Sequence, residues 1–430
     1  MISTSFARMT LLLLAMIALQ AMSSPVSAAA GRRHSIHHQG QERADGHELP
    51  LTQLPRRAPA PPDGAHISQH KPSKVTNATV PIFVNKAWVD KADGGKAGRG
   101  ITKAWIGLHG KGRDGVATFQ DLYPIVGSSG ALIIPNFYAP DDIGHSTTDG
   151  VHASYLDADR NMLWNKEGWS VARDAVQGGR KRPLNGAQIS SFDVVDSLVE
   201  RLSDKGLYPN LKRIIIVGHS AGGLFVDLYA RFGKSTSDGN IKFRYITANP
   251  PLNYFEDRTR PVDGQDYLAG CPEYNDFPAG SSGMIPRYVS TTGKRMSFAK
   301  SVSRDVIRLA GSRDVYKAGY EVPRCDAVAQ GGLDRLARNQ NAWVIENLRA
   351  KSGKDLSMYR GYQNLTSQAK PVATDAGAPL LFKRTFAIVP GVGHDSGKMF
   401  SSNFGRQALL SSSGVSYTPH LEGNQSYVPY

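Results

Sequence analysis

Short apolar runs alternate along the chain with segments in which apolar residues recur at helical spacing. The runs are bounded by Gly, Pro, Asn and Asp and have the length of strands that are buried on both faces. They predict strands at 80–84, 103–108, 131–135, 214–217, 243–248, 305–309 and 385–389. Helical spacing predicts helices over 189–202, directly after the strand at 214–217, and near 332–350. This alternation predicts an α/β fold with a mostly parallel, doubly wound sheet and helices on both faces.

The strand at 214–217 runs directly into the sequence Gly-His-Ser-Ala-Gly at Gly218–Gly222, which a helical pattern follows. A strand, a sharp turn and a helix in this order form a nucleophile elbow, which presents a serine at the tip of the turn. Gly218 and Gly222 leave room for the strand and the helix to approach each other, where a Cβ would clash. Ser220 is therefore the candidate nucleophile.

A serine hydroxyl is a weak nucleophile at neutral pH, so it needs a base and a group that holds the base. His394 lies in the sequence Gly-Val-Gly-His-Asp after the last predicted strand, and the glycines allow this loop to turn back toward Ser220. Asp314 follows the strand at 305–309. Side chains at the carboxyl ends of strands meet at one edge of such a sheet, and the order Ser, Asp, His is typical of nucleophile-elbow enzymes. These three residues form the predicted catalytic triad.

Other residues compete for these roles. Asp257 and Asp326 are alternative acids, and Asp314 could instead form a surface ion pair with Arg313. Two further histidines lie near the predicted site, each within a backbone motif, and are expected to shape the site: His109 and His219.

A tetrahedral intermediate needs hydrogen-bond donors for its oxyanion. The backbone N–H of Ala221 lies just after the nucleophile at the start of a helix, where free amides and the helix dipole favour negative charge. The glycine-rich loop after the strand at 103–108 offers Gly110 and Lys111 as the second donor. Such a loop could also cradle a phosphate, but it lacks the Gly-Lys-Ser/Thr ending of a P-loop, so no nucleotide cofactor is expected.

The N-terminus reads as a secretory signal peptide at residues 1–28. Arg8 precedes an apolar stretch from Met9 to Met22, and Val-Ser-Ala ends at Ala28 as a cleavage site. The stretch is shorter than the roughly 20 residues of a membrane span, so stable membrane anchoring is not expected. Residues 29–74 lack periodic apolar positions and are predicted to be disordered, with a candidate dibasic processing site ending at Arg57.

Two further features agree with export. Cys271 and Cys325 are the only cysteines, and in an oxidising compartment they predict one disulfide; two free buried thiols are the alternative. Glycosylation sequons occur at Asn77, Asn364 and Asn424. We therefore expect a secreted, extracellular glycoprotein.

Composition adds little beyond this. The net charge of +14 would suit a nucleic-acid partner, but no run of Lys and Arg with interleaved aromatic residues is present, so nucleic-acid binding is not expected.

A hydrophobic content of 40% is enough for a full core. We expect one domain at 75–410 with a tail at 411–430. Insertions near 136–188 and 250–303 carry aromatic residues that either bind substrate or pack the insertions.

The elbow, the His-Gly loop, the aspartate after a strand and the final Gly-x-Gly-His resemble the α/β-hydrolase superfamily over about Val80–Gln407. The chain is similar to secreted fungal and bacterial hydrolases that carry ISSFDVVD before a PNLKR strand and a GHSAGG elbow. The resemblance implies a Ser-His-Asp hydrolase with a covalent acyl-enzyme and no cofactor, and it implies no particular substrate. We expect a hydrolase of small-molecule or polymeric carboxylic esters. A serine peptidase of the same fold and a binding module without activity are the alternatives.

Overall fold

The structure is a computed structural model that describes residues 60–89, 96, 98–144, 153–234, 239–261, 268–292, 297–317, 323–359, 362–372 and 379–413. The predicted signal peptide, the dibasic site at Arg57 and the sequon at Asn424 lie outside the described residues. Among the helices of the described part, none has the length and apolar character needed to cross a membrane.

Within the described residues an eight-stranded sheet forms the centre of the fold. Its strands are β1 His66–His70, β2 Val80–Val84, β3 Lys103–Leu108, β4 Ala131–Pro135, β5 Arg213–His219, β6 Lys242–Ala248, β7 Val306–Gly311 and β8 Thr385–Val389. They lie side by side in the order β1-β2-β4-β3-β5-β6-β7-β8. Strand β2 is antiparallel to both of its neighbours, and the strands from β4 to β8 are parallel. The predicted strands and the predicted α/β fold class are confirmed.

The helices cover both faces of the sheet. They are α1 Gly115–Val126, α2 Ser191–Ser203, α3 Ala221–Phe232, α4 Arg287–Thr291, α5 Phe298–Val302, α6 Cys325–Val328, α7 Arg335–Ala350, α8 Tyr362–Gln368, α9 Ser396–Ser401 and α10 Asn403–Leu410. Along β5, Ile214 and Ile216 pack with α2 and α3, whereas Ile215 and Val217 pack with α1, α9 and α10. Alternate side chains of a strand point to opposite faces, so the continuous apolar run of β5 is explained by burial on both.

Strand β1 corrects one prediction. Residues 66–70 were expected to belong to a disordered segment, but they pair with β2 from His66 opposite Val84 to His70 opposite Val80. The strand lies at the edge of the sheet, and its side chains contact polar groups: Gln69 accepts a hydrogen bond from Thr79, and His70 bonds Ser197. An edge strand held by backbone and polar side-chain bonds has no apolar alternation from which it could be predicted.

The two insertions are packed against the domain. In the first, Trp164 and Trp169 are fully buried in the main core, and in the second, Tyr288 is buried in the same core. Cys271 of the second insertion forms the expected disulfide with Cys325 at the start of α6. The aromatic residues of the insertions therefore serve mainly as packing. Asn77 and Asn364, two of the predicted glycosylation sites, are exposed.

A buried cluster of charged side chains lies beneath α3. Arg308 of β7 donates to Asp227 of α3 at 2.9 Å, Arg384 before β8 donates to Glu346 of α7 at 2.8 Å, and Arg231 contacts both carboxylates. Each of these side chains is at most 6% exposed. Because an unpaired buried charge is costly, the cluster fixes α3, β7, α7 and β8 relative to one another. Strands β7 and β8 precede Asp314 and His394, and α3 follows Ser220 directly.

Candidate functional site

The turn between β5 and α3 has the backbone of a nucleophile elbow. Ser220 has φ 57° and ψ −123°, a region that non-glycine residues seldom occupy and that is often associated with function. A Cβ on Gly218 would lie 2.3 Å from the carbonyl oxygen of Gly222, and a Cβ on Gly222 would lie 2.3 Å from the carbonyl oxygen of Leu108. Both glycines are therefore required by close backbone approach, as the sequence predicts.

The structure brings Ser220, His394 and Asp314 together at the carboxyl ends of β5, β8 and β7. Nε2 of His394 lies 2.9 Å from Oγ of Ser220, and Nδ1 of His394 lies 2.9 Å from Oδ2 of Asp314. A carboxylate can only accept, so Nδ1 carries the proton and Nε2 is free to accept the Ser220 hydroxyl proton. This is the geometry that a serine nucleophile and its general base require.

Asp314 is held in its ionised form although it is buried. Its side chain is 4% exposed, and burial alone would raise the pKa of the carboxyl. The hydrogen bond from His394 and the charges of His394 and Arg335 outweigh burial and hold the pKa of Asp314 below its usual value. One nitrogen of the Arg335 guanidinium lies 3.3 Å from Oδ1 of Asp314. A negative charge therefore faces His394 and can stabilise its protonated form.

The competing acids lie elsewhere. Asp257 pairs with Arg349, and Asp326 pairs with Arg324 at 2.7 Å. Arg313 is exposed and forms no ion pair with any described residue, so the alternative surface pair with Asp314 is not formed.

His109 and His219 are both buried and neutral. Burial lowers the pKa of His109 to about 4 and, together with the charge of His394, lowers the pKa of His219 to about 3. His109 accepts a hydrogen bond from the Phe137 amide at 3.0 Å and donates to the Gly110 carbonyl at 3.0 Å, so it anchors the glycine-rich loop. The ring of His219 lies 4.6 Å from the ring of His394 and leaves no second positive charge beside it.

Asn249, which the sequence analysis did not single out, connects the three strands that carry the triad. Its Nδ2 donates to the carbonyl of Gly393 at 3.0 Å and lies 3.2 Å from Nε2 of His219, and its Oδ1 accepts from the Gly311 amide at 2.7 Å. The side chain is 1% exposed, and φ is 44°, in the left-handed region. Gly393 and His219 are the immediate neighbours of His394 and Ser220. The position of Asn249 directly after β6 is the signal that could have identified it.

The predicted oxyanion donors lie around Ser220. Ala221 is the first residue of α3, so its N–H has no acceptor within the helix. A Cβ on Gly110 would lie 3.9 Å from Cβ of Ser220, which places this loop beside the nucleophile. The Gly110 carbonyl accepts from His109 and from the Arg113 amide. Because the C=O and N–H of a trans peptide point in opposite directions, the N–H of Lys111 points away from these groups.

A cavity of about 1040 Å³ opens above Ser220 and His394. Its walls come from both insertions, from the loop after β7 and from the starts of α6 and α7. Trp169 and Phe277 line it, whereas most aromatic residues of the insertions do not. The cavity is large enough for a ligand of drug size or for a segment of a polymer.

One group of potential metal ligands occurs among the described residues: Cys271, Glu273 and Cys325. The two sulfurs are bonded to each other, so neither is a thiolate that could bind a metal. The group offers a metal a single carboxylate.

No family profile and no curated protein matches the chain. Solved structures of similar fold include the poly(3-hydroxybutyrate) depolymerase LpqC from Bordetella parapertussis, at 15% identity over 81% of this chain and 90% of that chain, with a TM-score of 0.46. Poly(aspartic acid) hydrolase-1 from Sphingomonas sp. KT-1 has 16% identity over 78% of this chain and 95% of that chain, with a TM-score of 0.44. The siderophore hydrolase EstB from Aspergillus nidulans has 13% identity over 82% and 97%, with a TM-score of 0.37. The strand order and the elbow of the chain itself carry the fold assignment.

Proposed function

We propose that this chain, an α/β hydrolase by fold, is a serine hydrolase that cleaves carboxylic esters through Ser220, His394 and Asp314. The observation that carries the proposal is the unbroken series of hydrogen bonds from a buried, ionised Asp314 through His394 to a serine at the tip of a strained turn. The same serine lies at the base of a large cavity. Buried carboxylate, imidazole and exposed hydroxyl in this order are the parts of an acyl-transfer site.

In the proposed mechanism, Oγ of Ser220 attacks the ester carbonyl while Nε2 of His394 takes the hydroxyl proton. Asp314 stabilises the imidazolium that forms and keeps its Nδ1 proton in place. The N–H groups of Ala221 and of the loop at Gly110 and Lys111 bind the oxyanion, a contact typically worth about 2.7–4 kcal/mol for one donor. His394 then protonates the departing alcohol. Water, deprotonated by the same nitrogen, hydrolyses the acyl-enzyme.

We also propose that the protein is secreted and glycosylated and that its substrate is a small-molecule or polymeric ester. The signal-like N-terminus, the disulfide and the exposed sequon residues Asn77 and Asn364 support this proposal. An extracellular ester hydrolase is the simplest function that joins these features to the site.

Labelling with a fluorophosphonate probe tests the proposal directly, because such probes phosphonylate only an activated serine. We expect stoichiometric labelling, mapping of the modified residue to Ser220, and hydrolysis of short 4-nitrophenyl esters that is lost in Ser220→Ala. A folded protein whose Ser220 does not react would leave the binding module as the function. Cleavage of amides faster than matched esters would instead favour the peptidase.

A further inference from the structure

The cavity above Ser220 carries more basic than acidic side chains. Its basic lining residues are Lys111, Lys166, Arg173, Arg313, Lys317, Arg324, Arg335, Arg338 and Lys398. Its acidic lining residues are Glu167, Glu273, Asp276, Asp314 and Asp326. A cleft lined by one sign of charge focuses its field on the ligand that enters it.

Part of this charge is balanced by ion pairs. Lys111 pairs with Glu167, Lys166 with Asp141, Arg324 with Asp326, Lys398 with Asp395 and Arg335 with Asp314. The basic lining side chains that form no ion pair with a described residue are Arg173, which contacts Met284, and Arg313, Lys317 and Arg338, which lie with Arg335 where the loop after β7 meets the start of α7. We call Arg313, Lys317, Arg335 and Arg338 the cationic wall.

The backbone fixes the cationic wall beside the triad. The Arg313 amide donates to the carbonyl of Val392 at 2.8 Å, two residues before His394. The Leu336 amide donates to the carbonyl of Asp314 at 3.2 Å, and the Tyr316 amide donates to Asp334 at 2.5 Å. These bonds hold the loop and the start of α7 together, so the four cations share one side of the cavity.

Three of the four cations of the cationic wall form no ion pair with a described residue, and the fourth, Arg335, pairs with Asp314. Arg313 and Lys317 are exposed and form no ion pair with a described residue. Arg335 adds a hydrogen-bond donor to the wall but little net charge, because Asp314 balances it. Arg338 is 2% exposed, and its guanidinium bonds only carbonyl oxygens, those of Pro251, Gly332 and Leu333, so it contributes charge to the wall and no direct contact.

We propose that the site acts on esters that bear an anionic group, such as a carboxylate, which the cationic wall holds at the acid side of the triad. This inference rests on the proposed function and adds a substrate class to it. An anion in the cavity would offset charge that the folded chain leaves unbalanced, and it would fix the ester relative to Ser220. A neutral ester of the same shape has no such contact.

Matched substrates test this proposal on both sides of the scissile bond. One pair is 4-nitrophenyl hexanoate and the 4-nitrophenyl monoester of adipic acid, in which a terminal methyl is replaced by a carboxylate. The other pair is the acetate esters of 4-hydroxybenzamide and 4-hydroxybenzoic acid. In at least one pair we expect kcat/KM for the anionic ester to be higher by roughly tenfold at low salt, mainly through KM. Because exposed charges are screened, the preference should fall toward unity at about 0.5 M NaCl.

Variants link the preference to the cationic wall. The double variant Arg313→Gln/Lys317→Gln should lower the ratio of anionic to neutral kcat/KM by about threefold or more at low salt. The matched control is Lys212→Gln/Lys242→Gln, which removes the same charge at the amino ends of β5 and β6, away from Ser220. The control should leave the ratio unchanged.

The outcomes separate this proposal from the proposed function. Hydrolysis that depends on Ser220 but shows no anionic preference in either pair overturns the substrate class and leaves the ester hydrolase standing. An equal loss of preference in the control double variant also overturns it, because the effect would then come from net charge. Absence of Ser220-dependent hydrolysis for all four esters, with no probe labelling, removes the proposed function itself.

Discussion

Asp314 and His394 fix each other's roles through one hydrogen bond. The carboxylate holds the proton of His394 on Nδ1, and the histidine keeps the pKa of the buried carboxyl low. A neutral amide at position 314 would fit the same space but could donate a proton to Nδ1, which would select the tautomer with the proton on Nε2. His394 could then no longer accept the proton of Ser220.

Asp314→Asn should therefore lower kcat by about 10³- to 10⁴-fold while the protein folds normally. Ester turnover and thermal unfolding measured on the same preparation check this. Asp326→Asn and Asp257→Asn are controls, because those carboxylates pair with Arg324 and Arg349 and not with His394. Near-normal turnover in Asp314→Asn would show that another group acts as the acid.

Asn249 is a positioning residue that acts through His219 and the loop of His394. Its amide nitrogen faces two acceptors, Nε2 of His219 and the carbonyl of Gly393. The change Asn249→Asp preserves the shape and the bond from the Gly311 amide, but it places a carboxylate oxygen against both acceptors. Repulsion should displace the His394 loop. The added negative charge should also favour the protonated form of the His394 imidazole.

For Asn249→Asp we expect kcat to fall by about 10- to 100-fold with little change in KM. The acid limb of the kcat/KM profile should move to higher pH. Asn85→Asp is the matched control, since Asn85 is also 1% exposed and its Nδ2 also donates to two acceptors, the carbonyls of Gly127 and Gly130. That control should lose stability without moving the pH profile. If both variants leave the acid limb where it is, Asn249 has only a structural role.

The elbow depends on the close approach of β5, α3 and the end of β3. A Cβ on Gly222 would lie 2.3 Å from the carbonyl oxygen of Leu108 and 2.6 Å from that of His109. Both contacts are with backbone, so no side chain can rotate away to relieve them. The sequence shows this requirement through the glycine spacing around Ser220.

Gly222→Ala should accordingly destabilise the protein by about 3 kcal/mol or more, in the range of severe overpacking. Gly100→Ala is the control: its backbone lies outside the left-handed region, and a Cβ there meets nothing within 4 Å. Urea unfolding of the two variants gives the comparison. A Gly222→Ala protein as stable as Gly100→Ala would mean that α3 and the end of β3 lie further apart than these contacts require.

The sequence predicts elements well where burial dictates composition. Strands β2 to β8 are largely buried by the helices and are nearly continuous apolar runs. Strand β1 and helix α1 were not predicted. The half-buried side chains of β1 require no apolar pattern, and Pro124 lies inside α1, where it interrupts the usual helical signal. The local sequence pattern therefore does not predict an element that is stabilised by its neighbours rather than by its own composition.

The functional site, too, could be predicted only in part. Ser220, His394 and Asp314 were predictable because each follows a strand whose end lies at one known edge of the sheet. The contact of Arg335 with Asp314 and the bonds of Asn249 were not, because they depend on how side chains from separate segments pack together. No spacing in the sequence encodes these contacts.

Among the residues that the structure describes, His70, His109 and His219 are buried and neutral. Burial lowers the pKa of His70 and of His109 to about 4 and that of His219 to about 3. In the unfolded chain each would have a pKa near 6.5, so the unfolded state binds more protons between about pH 6.5 and pH 4. Stability contributed by these groups is complete above pH 6.5 and is lost progressively as the pH falls.

At pH 5 the loss should be about 2 kcal/mol for each histidine relative to pH 7.5. His109→Gln tests the part of this loss that comes from His109. Glutamine can accept a hydrogen bond from the Phe137 amide and donate one to the Gly110 carbonyl, but it does not titrate. At pH 7.5 the free energy of unfolding should be higher for the wild-type protein than for the variant. At pH 5 this difference in unfolding free energy should be smaller by about 2 kcal/mol. Urea unfolding of both proteins, with the disulfide intact, measures it. A difference that is the same at the two pH values would mean that His109 is protonated at pH 5 in the folded state as it is in the unfolded state, which the hydrogen bond that Nε2 accepts from the Phe137 amide opposes.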